Sequence, residues 1–206
     1  MNSYVTLTNS TAEIVVLRSR FISYVYHIES EEEASEILTA LRKKYYDATH
    51  VCYAYVADVA GNVTKSSDDG EPSSTAGAPI LSVINGGGYR QVLIAVVRYF
   101  GGTKLGVGGL VKTYTDSAIA AVNASEKITY TLSEVYSAET DYNTFGKISN
   151  AVTRNGGRIT DIEYSDKVRF TLAYPTPGNV LKELINLTGG KTEFINRGNR
   201  YEIYRM

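Results

Sequence analysis

Tryptophan is absent from this chain, cysteine occurs once and histidine twice. A lone thiol, Cys52, rules out an internal disulfide, and with only two imidazoles there is no Cys- or His-rich metal cluster. No stretch approaches the ~18 consecutive apolar residues of a membrane-spanning helix. The opening M-N-S-Y-V-T has neither the charged segment nor the apolar core of a signal peptide, so the chain is expected to work in the cytoplasm. An excess of one charge is missing too: 21 Lys and Arg stand against 22 Asp and Glu, for a net charge of −1. Residues 1–130 carry 11 basic and 13 acidic side chains, and residues 131–206 carry 10 and 9. No whole-molecule field draws the protein to nucleic acid, so any contact with RNA needs a local patch.

What is present is enough apolar material, 43% of 206 residues, for one large or two small domains. The aromatic content is skewed, with 17 tyrosines against 5 phenylalanines. Tyrosines half-buried on sheet faces account for that skew; a stacking surface for bases is the alternative. Cys52 lies in the apolar run Val51–Val56, where a buried, inert thiol is expected.

The pattern predicts strands over 4–8, 12–17 and 21–28. A helix follows from Ser30, with Ser30 and Glu33 as a capping box and Ala34, Ile37, Leu38, Leu41 and Tyr45 on one stripe. Arg42, Lys43 and Lys44 complement its dipole and are not read as a binding patch. Next come a strand over 51–59, a polar acidic loop over 61–72, a short helix capped by Ser73, Ser74 or Thr75, a strand over 91–100 and a helix over 109–124. After Glu126 the order becomes β-α-β-β-α-β, with a hairpin at Ser165-Asp166 and a helix capped at Thr176-Pro177; this is the ferredoxin-like arrangement. The fold class is α+β, with domains over 1–130 and 131–206.

The chemistry concentrates in two loops. From Arg98 the sequence reads R-Y-F-G-G-T-K-L-G-V-G-G-L, placing Gly101, Gly102, Gly106, Gly108 and Gly109 around Lys104. Glycines at this density let backbone N–H groups approach a partner, and a strand, loop and helix start in that order suit an anion. Upstream, Asp68, Asp69, Glu71, Ser73, Ser74 and Thr75 form an acidic, hydroxyl-rich loop, with His50 just before a strand. Lys112 and Tyr114 lie one to two turns into the following helix. Three readings stay open. Asp69 and Glu71 pair with Arg98 and Lys104 and merely hold the loops together, or helix starts at Thr75 and Gly108 join Arg98 and Lys104 in binding a phosphate or carboxylate. A third uses His50, Asp69 and Ser74 as a small-molecule hydrolase or phosphate- or nucleotide-binding enzyme. No cofactor is indicated: the Rossmann glycine spacing and the Walker pattern are absent.

The segments Arg98–Leu110 and Asp68–Pro79 (D-D-G-E-P-S-S-T-A-G-A-P) strongly resemble the signature of the YigZ/IMPACT family in its bacterial two-domain form. The resemblance implies an N-terminal βαβ domain like that of GHMP kinases, domain IV of the translocation factor EF-G and a small-subunit ribosomal protein. It implies a C-terminal domain similar to the last domain of EF-G. Eukaryotic relatives regulate translation through a protein partner in a stress-responsive kinase pathway. The signature begins almost at residue 1, so the additional N-terminal partner-binding domain of those relatives is expected to be missing, and the resemblance does not by itself carry their kinase-pathway role over to this chain. The resemblance therefore implies a cytosolic binding protein in the regulation of translation. Its expected partners are RNA, the ribosome or a translation-related protein, met through the Arg/Lys groove, the C-terminal sheet or the cleft between domains.

Overall fold

The computed structural model describes residues 2–175 and 180–204. The helix cap expected at Thr176 and Pro177 lies outside them. The chain separates into one unit of residues 4–129 and another of residues 130–206, with which the first three residues group. Within that second unit the Leu132 N–H donates to the Asn2 carbonyl at 2.7 Å.

The N-terminal unit is built on a sheet of β2 (Ser10–Val16), β3 (Ser19–His27), β6 (Val92–Tyr99), β4 (His50–Val56) and β5 (Thr64–Ser67), in that spatial order. Every neighbouring pair is antiparallel. Because β3 and β4 both run against β6, they are parallel to each other and flank it. The helix α1 (Glu31–Lys44) joins them, which makes a split βαβ unit. Strand β6 reads V-L-I-A-V-V-R-Y and is buried from Val92 to Arg98. A continuous apolar strand is what a sheet covered on both faces requires. One face packs α1 through Ala34, Leu38 and Leu41; the other packs α2 (Gly77–Gly86) and α3 (Gly106–Asn123) through Ile80, Ile84, Leu110, Tyr114 and Ala118. The preceding β1 (Ser3–Leu7) is held by the Arg90 N–H, which donates to the Val5 carbonyl at 2.9 Å.

Three local expectations change. The polar loop over 61–72 contains β5, whose T-K-S-S sequence carries no apolar alternation. It is a strand because β4 pairs with it from Tyr53↔Ser67 to Val56↔Thr64. Helix α3 starts at Gly106 rather than 109. The strand expected over 12–17 ends at Val16, where Leu17 (φ 46°) and Arg18 (φ 65°) turn the chain into β3.

The second unit comprises β7 (Lys127–Thr140), α4 (Tyr142–Arg154), β8 (Arg158–Tyr164), β9 (Val168–Pro175), α5 (Val180–Thr188) and β10 (Phe194–Ile203). Its strands lie in the order β10, β7, β9, β8, all neighbours antiparallel. This is the ferredoxin-like β-α-β-β-α-β domain. Ile148, Ala151, Val152 and Leu184 from the helices meet Tyr136, Phe170, Leu172 and Tyr174 from the sheet. Tyrosines are packed on sheet faces, stacked as Tyr24–Tyr26, Tyr53–Tyr55 and Tyr136–Tyr174.

Candidate functional site

Strand alternation sends Val92, Ile94 and Val96 into the α2/α3 core, and Arg98 and Phe100 continue that row towards the end of the sheet. Register sets Arg98 opposite Phe21 on one side and His50 on the other. The Arg98 guanidinium lies 5.3 Å from the Phe21 ring centre and 5.6 Å from that of Phe100. Over this row the acidic and glycine-rich loops enclose a recess of about 450 Å³, lined by His50, Glu71, Arg98, Phe100, Lys104 and the Leu105–Val107 turn, among others.

Glu71 and Arg98 are the only buried charged residues among those described. Arg98 Nη1 donates to Glu71 Oε1 at 2.5 Å, and the Tyr114 hydroxyl donates to the same oxygen at 2.7 Å. Arg98 Nε is buried with no hydrogen-bond partner among the described residues. His50 Nδ1 sits 2.8 Å from the Asp69 carbonyl. A carbonyl only accepts, so Nδ1 carries a proton and Nε2 faces Glu71 Oε2 at 3.9 Å. Cys52, beneath this layer, has its Sγ 3.0 Å from the Asp68 carbonyl oxygen and 3.3 Å from the Tyr114 hydroxyl, and its single S–H donates to one of them at a time. Burial pushes its thiol up to about 12, with the nearby Glu71, Asp69 and Asp68 charges adding to the effect. Burial likewise pushes the Tyr114 phenol far up, so both stay protonated at neutral pH.

The acidic loop does different work from that expected. Asp68 caps α2: its carboxylate accepts from the N–H groups of Ser74 at 2.7 Å, Ala76 at 2.9 Å and Gly77 at 2.8 Å. Burial raises the Asp68 carboxyl, but the N–H donors of Gly77, Ser74, Ala76 and Thr75 outweigh it and hold the group below the usual range. The predicted caps Ser73, Ser74 and Thr75 therefore do not cap, and the α2 start is already filled by a carboxylate. Asp69 pairs with Arg42 at 2.7 Å and accepts from the Val51 N–H at 2.7 Å, not with Arg98 or Lys104. Arg42 reaches it because α1 ends beside this loop. Ser74 is exposed, and no hydrogen bond links its hydroxyl to His50 among the described residues. The Asp69 carboxylate is likewise engaged elsewhere, so the His50–Asp69–Ser74 arrangement does not assemble. Lys112 lies outside the recess lining and pairs with Asp116 at 2.5 Å.

The glycine-rich loop leaves its groups available. Lys104 is exposed and has no ionic partner among the described residues. The α3 start has no side-chain cap at Leu105 and no acid in its first turn. Gly106 and Gly108 meet nothing within 4 Å where a Cβ would stand, so a partner can come close to the backbone of this uncapped first turn. Gly101 is required for a different reason: a Cβ there would lie 2.1 Å from the Arg18 carbonyl carbon. Phe21, which pairs with the site from a strand far away in sequence, was invisible to motif reading. Phe100 was legible from the alternation of Val92, Ile94, Val96 and Arg98.

Comparison with known proteins places the chain. The Impact N-terminal domain matches residues 17–122, and a domain of unknown function, DUF1949, matches residues 139–191. IMPACT family member YvyE of Bacillus subtilis is 35% identical over 196 residues, 94% of this chain and 90% of that protein. The chain belongs to the IMPACT family. Its similarity to IMPACT family member YigZ of Escherichia coli is 33% identity over 165 residues, covering 78% of this chain and 79% of that protein. A solved structure described as the crystal structure of a hypothetical protein is 29% identical, covers 95% of this chain and 97% of its own, and superposes with a TM-score of 0.63. Both loops of the recess fall inside the Impact N-terminal match.

Proposed function

We propose that this IMPACT-family chain is a binding protein in the regulation of translation, and that it holds a phosphate of single-stranded RNA in the recess. The observation that carries the reading is the uncapped α3 start beside an unpaired Lys104. Open first-turn amides and a mobile cation form an anion seat. The Arg98–Glu71 pair contributes no net charge, so it orders the floor and Lys104 supplies the attraction. Phe100, 47% exposed at the rim, offers a face on which a base stacks. The translational setting comes from the family resemblance, whose eukaryotic members regulate translation.

The test is co-sedimentation with ribosomes and binding to poly(U) across a salt series. Affinity falls as salt rises, and Lys104→Ala lowers the slope of log K against log salt by about 0.7, the share of one single-strand phosphate. The circular dichroism melt of that variant overlays the parent's. Salt-independent binding, or an unchanged slope in the variant, sinks the reading.

A further inference from the structure

Leu17 and Arg18 form the two-residue turn between β2 and β3, closed by the Val16↔Ser19 pair, and both have positive φ. A hairpin turn of this kind strongly favours Asn-Gly, because L side chains rarely adopt that region. Here the positions hold a leucine and an arginine, and neither side chain is used by the fold. Leu17 is 56% exposed, and Arg18 is exposed with no ion pair or hydrogen bond among the described residues. Two residues further on, Arg20 is bound by Glu13 at 2.8 Å and lies over the Tyr99 ring, so the neighbourhood does supply partners. The turn is nevertheless clamped. The Gly101 N–H donates to the buried Ser19 hydroxyl at 3.1 Å, and the Gly101 α-carbon lies so close to Arg18 that no side chain fits there. Gly101 follows Phe100, which lines the recess, so the turn is fixed at the rim on the Phe100 side.

A strained backbone that the surrounding structure holds in place, displaying unused side chains, marks a contact element. We propose that the Leu17–Arg18 turn is a second RNA-contacting element, resting on the recess reading above. Arg18 grips the phosphate next to the one at Lys104, and Leu17 lies with Phe100 under the intervening base or ribose. The guanidinium fork suits a phosphate oxygen pair, and a cation next to the exposed Leu17, on a turn held against the neighbour of the exposed Phe100, suits a nucleotide better than an acidic peptide.

The test compares poly(U) with poly-glutamate for the parent, Arg18→Ala, Arg18→Lys, Lys104→Ala and the double variant Leu17→Asn/Arg18→Gly. Arg18→Ala lowers poly(U) affinity about fivefold near 0.1 M salt and the salt slope by about 0.7, while Arg18→Lys keeps the slope. The Asn-Gly variant loses affinity to at least the same degree, yet its Tm rises by about 2–4 °C because the turn is relieved. If the Arg18 variants bind poly(U) as the parent does while Lys104→Ala weakens it, this inference falls and the recess reading stands. If the Asn-Gly variant melts no higher than the parent, the turn stores no strain and the inference is overturned. A parent that ignores poly(U), or that binds poly-glutamate instead, overturns both.

Discussion

The Arg98 and Glu71 side chains in the N-terminal unit are 5% and 4% exposed, and Tyr114 adds a second donor to the shared Glu71 oxygen. Arg169 and Glu139 in the ferredoxin-like unit touch at 2.6 Å, with Lys167 as a third member, but are 66% and 36% exposed. Distance does not tell these pairs apart; burial does. Water screens the second pair and replaces either partner when it is lost, whereas the charges of the first are compensated by protein groups, chiefly each other, with Tyr114 donating to Glu71. The N-terminal unit has thus made its recess dependent on a specific set of contacts. Among the described residues, the second unit buries only hydroxyl-bearing polar groups, such as Ser133, Thr140 and Thr192.

The contrast is broken most severely at Glu71. Glu71→Ala leaves Arg98 buried and unpaired, and urea unfolding is expected to show a loss of about 3–5 kcal/mol; a loss too small to resolve would mean that burial does not separate the two pairs. A smaller effect is expected at Asp68. Asp68→Asn weakens the α2 cap by about 1 kcal/mol in the same assay. Because its folded-state pKa is depressed, the stabilisation by Asp68 is complete above the ordinary carboxylate range and lost as pH falls through the folded value. The acid limb of stability below about pH 4 should therefore be shallower in the Asn variant, and an identical limb in both proteins would contradict the capping role. Smallest of all, Glu139→Ala should leave the Tm within experimental error; a clear drop would mean that the surface cluster holds its unit together as the buried pair does.

The two units also differ in how far their sequences disclosed them. Asp141 stands directly before α4 and accepts from the Thr144 N–H at 2.9 Å, a spacing local rules recognise. Asp68 caps its helix from eight residues before Ala76, across a reversal of the chain, and no local rule reaches that far. Apolar patterning exposed α1 and β6, because those elements bury a face of their own. It missed β5, which is a strand only through its partner. The cationic loop and its glycines were legible as composition, but the Phe21 ring that packs against the Arg98 guanidinium was not, since only strand register brings it there. Arg42 and Asp69, 27 positions apart, likewise meet through tertiary packing alone.

Cys52 gives the N-terminal unit an internal gauge of its own breathing. Its sulfur is sealed beneath the recess floor and kept protonated, so an alkylating reagent gains access only when the layer of α2 and α3 lifts from the sheet. As the sole thiol in the chain, it reports that motion in unaltered protein, without a reporter group having to be introduced.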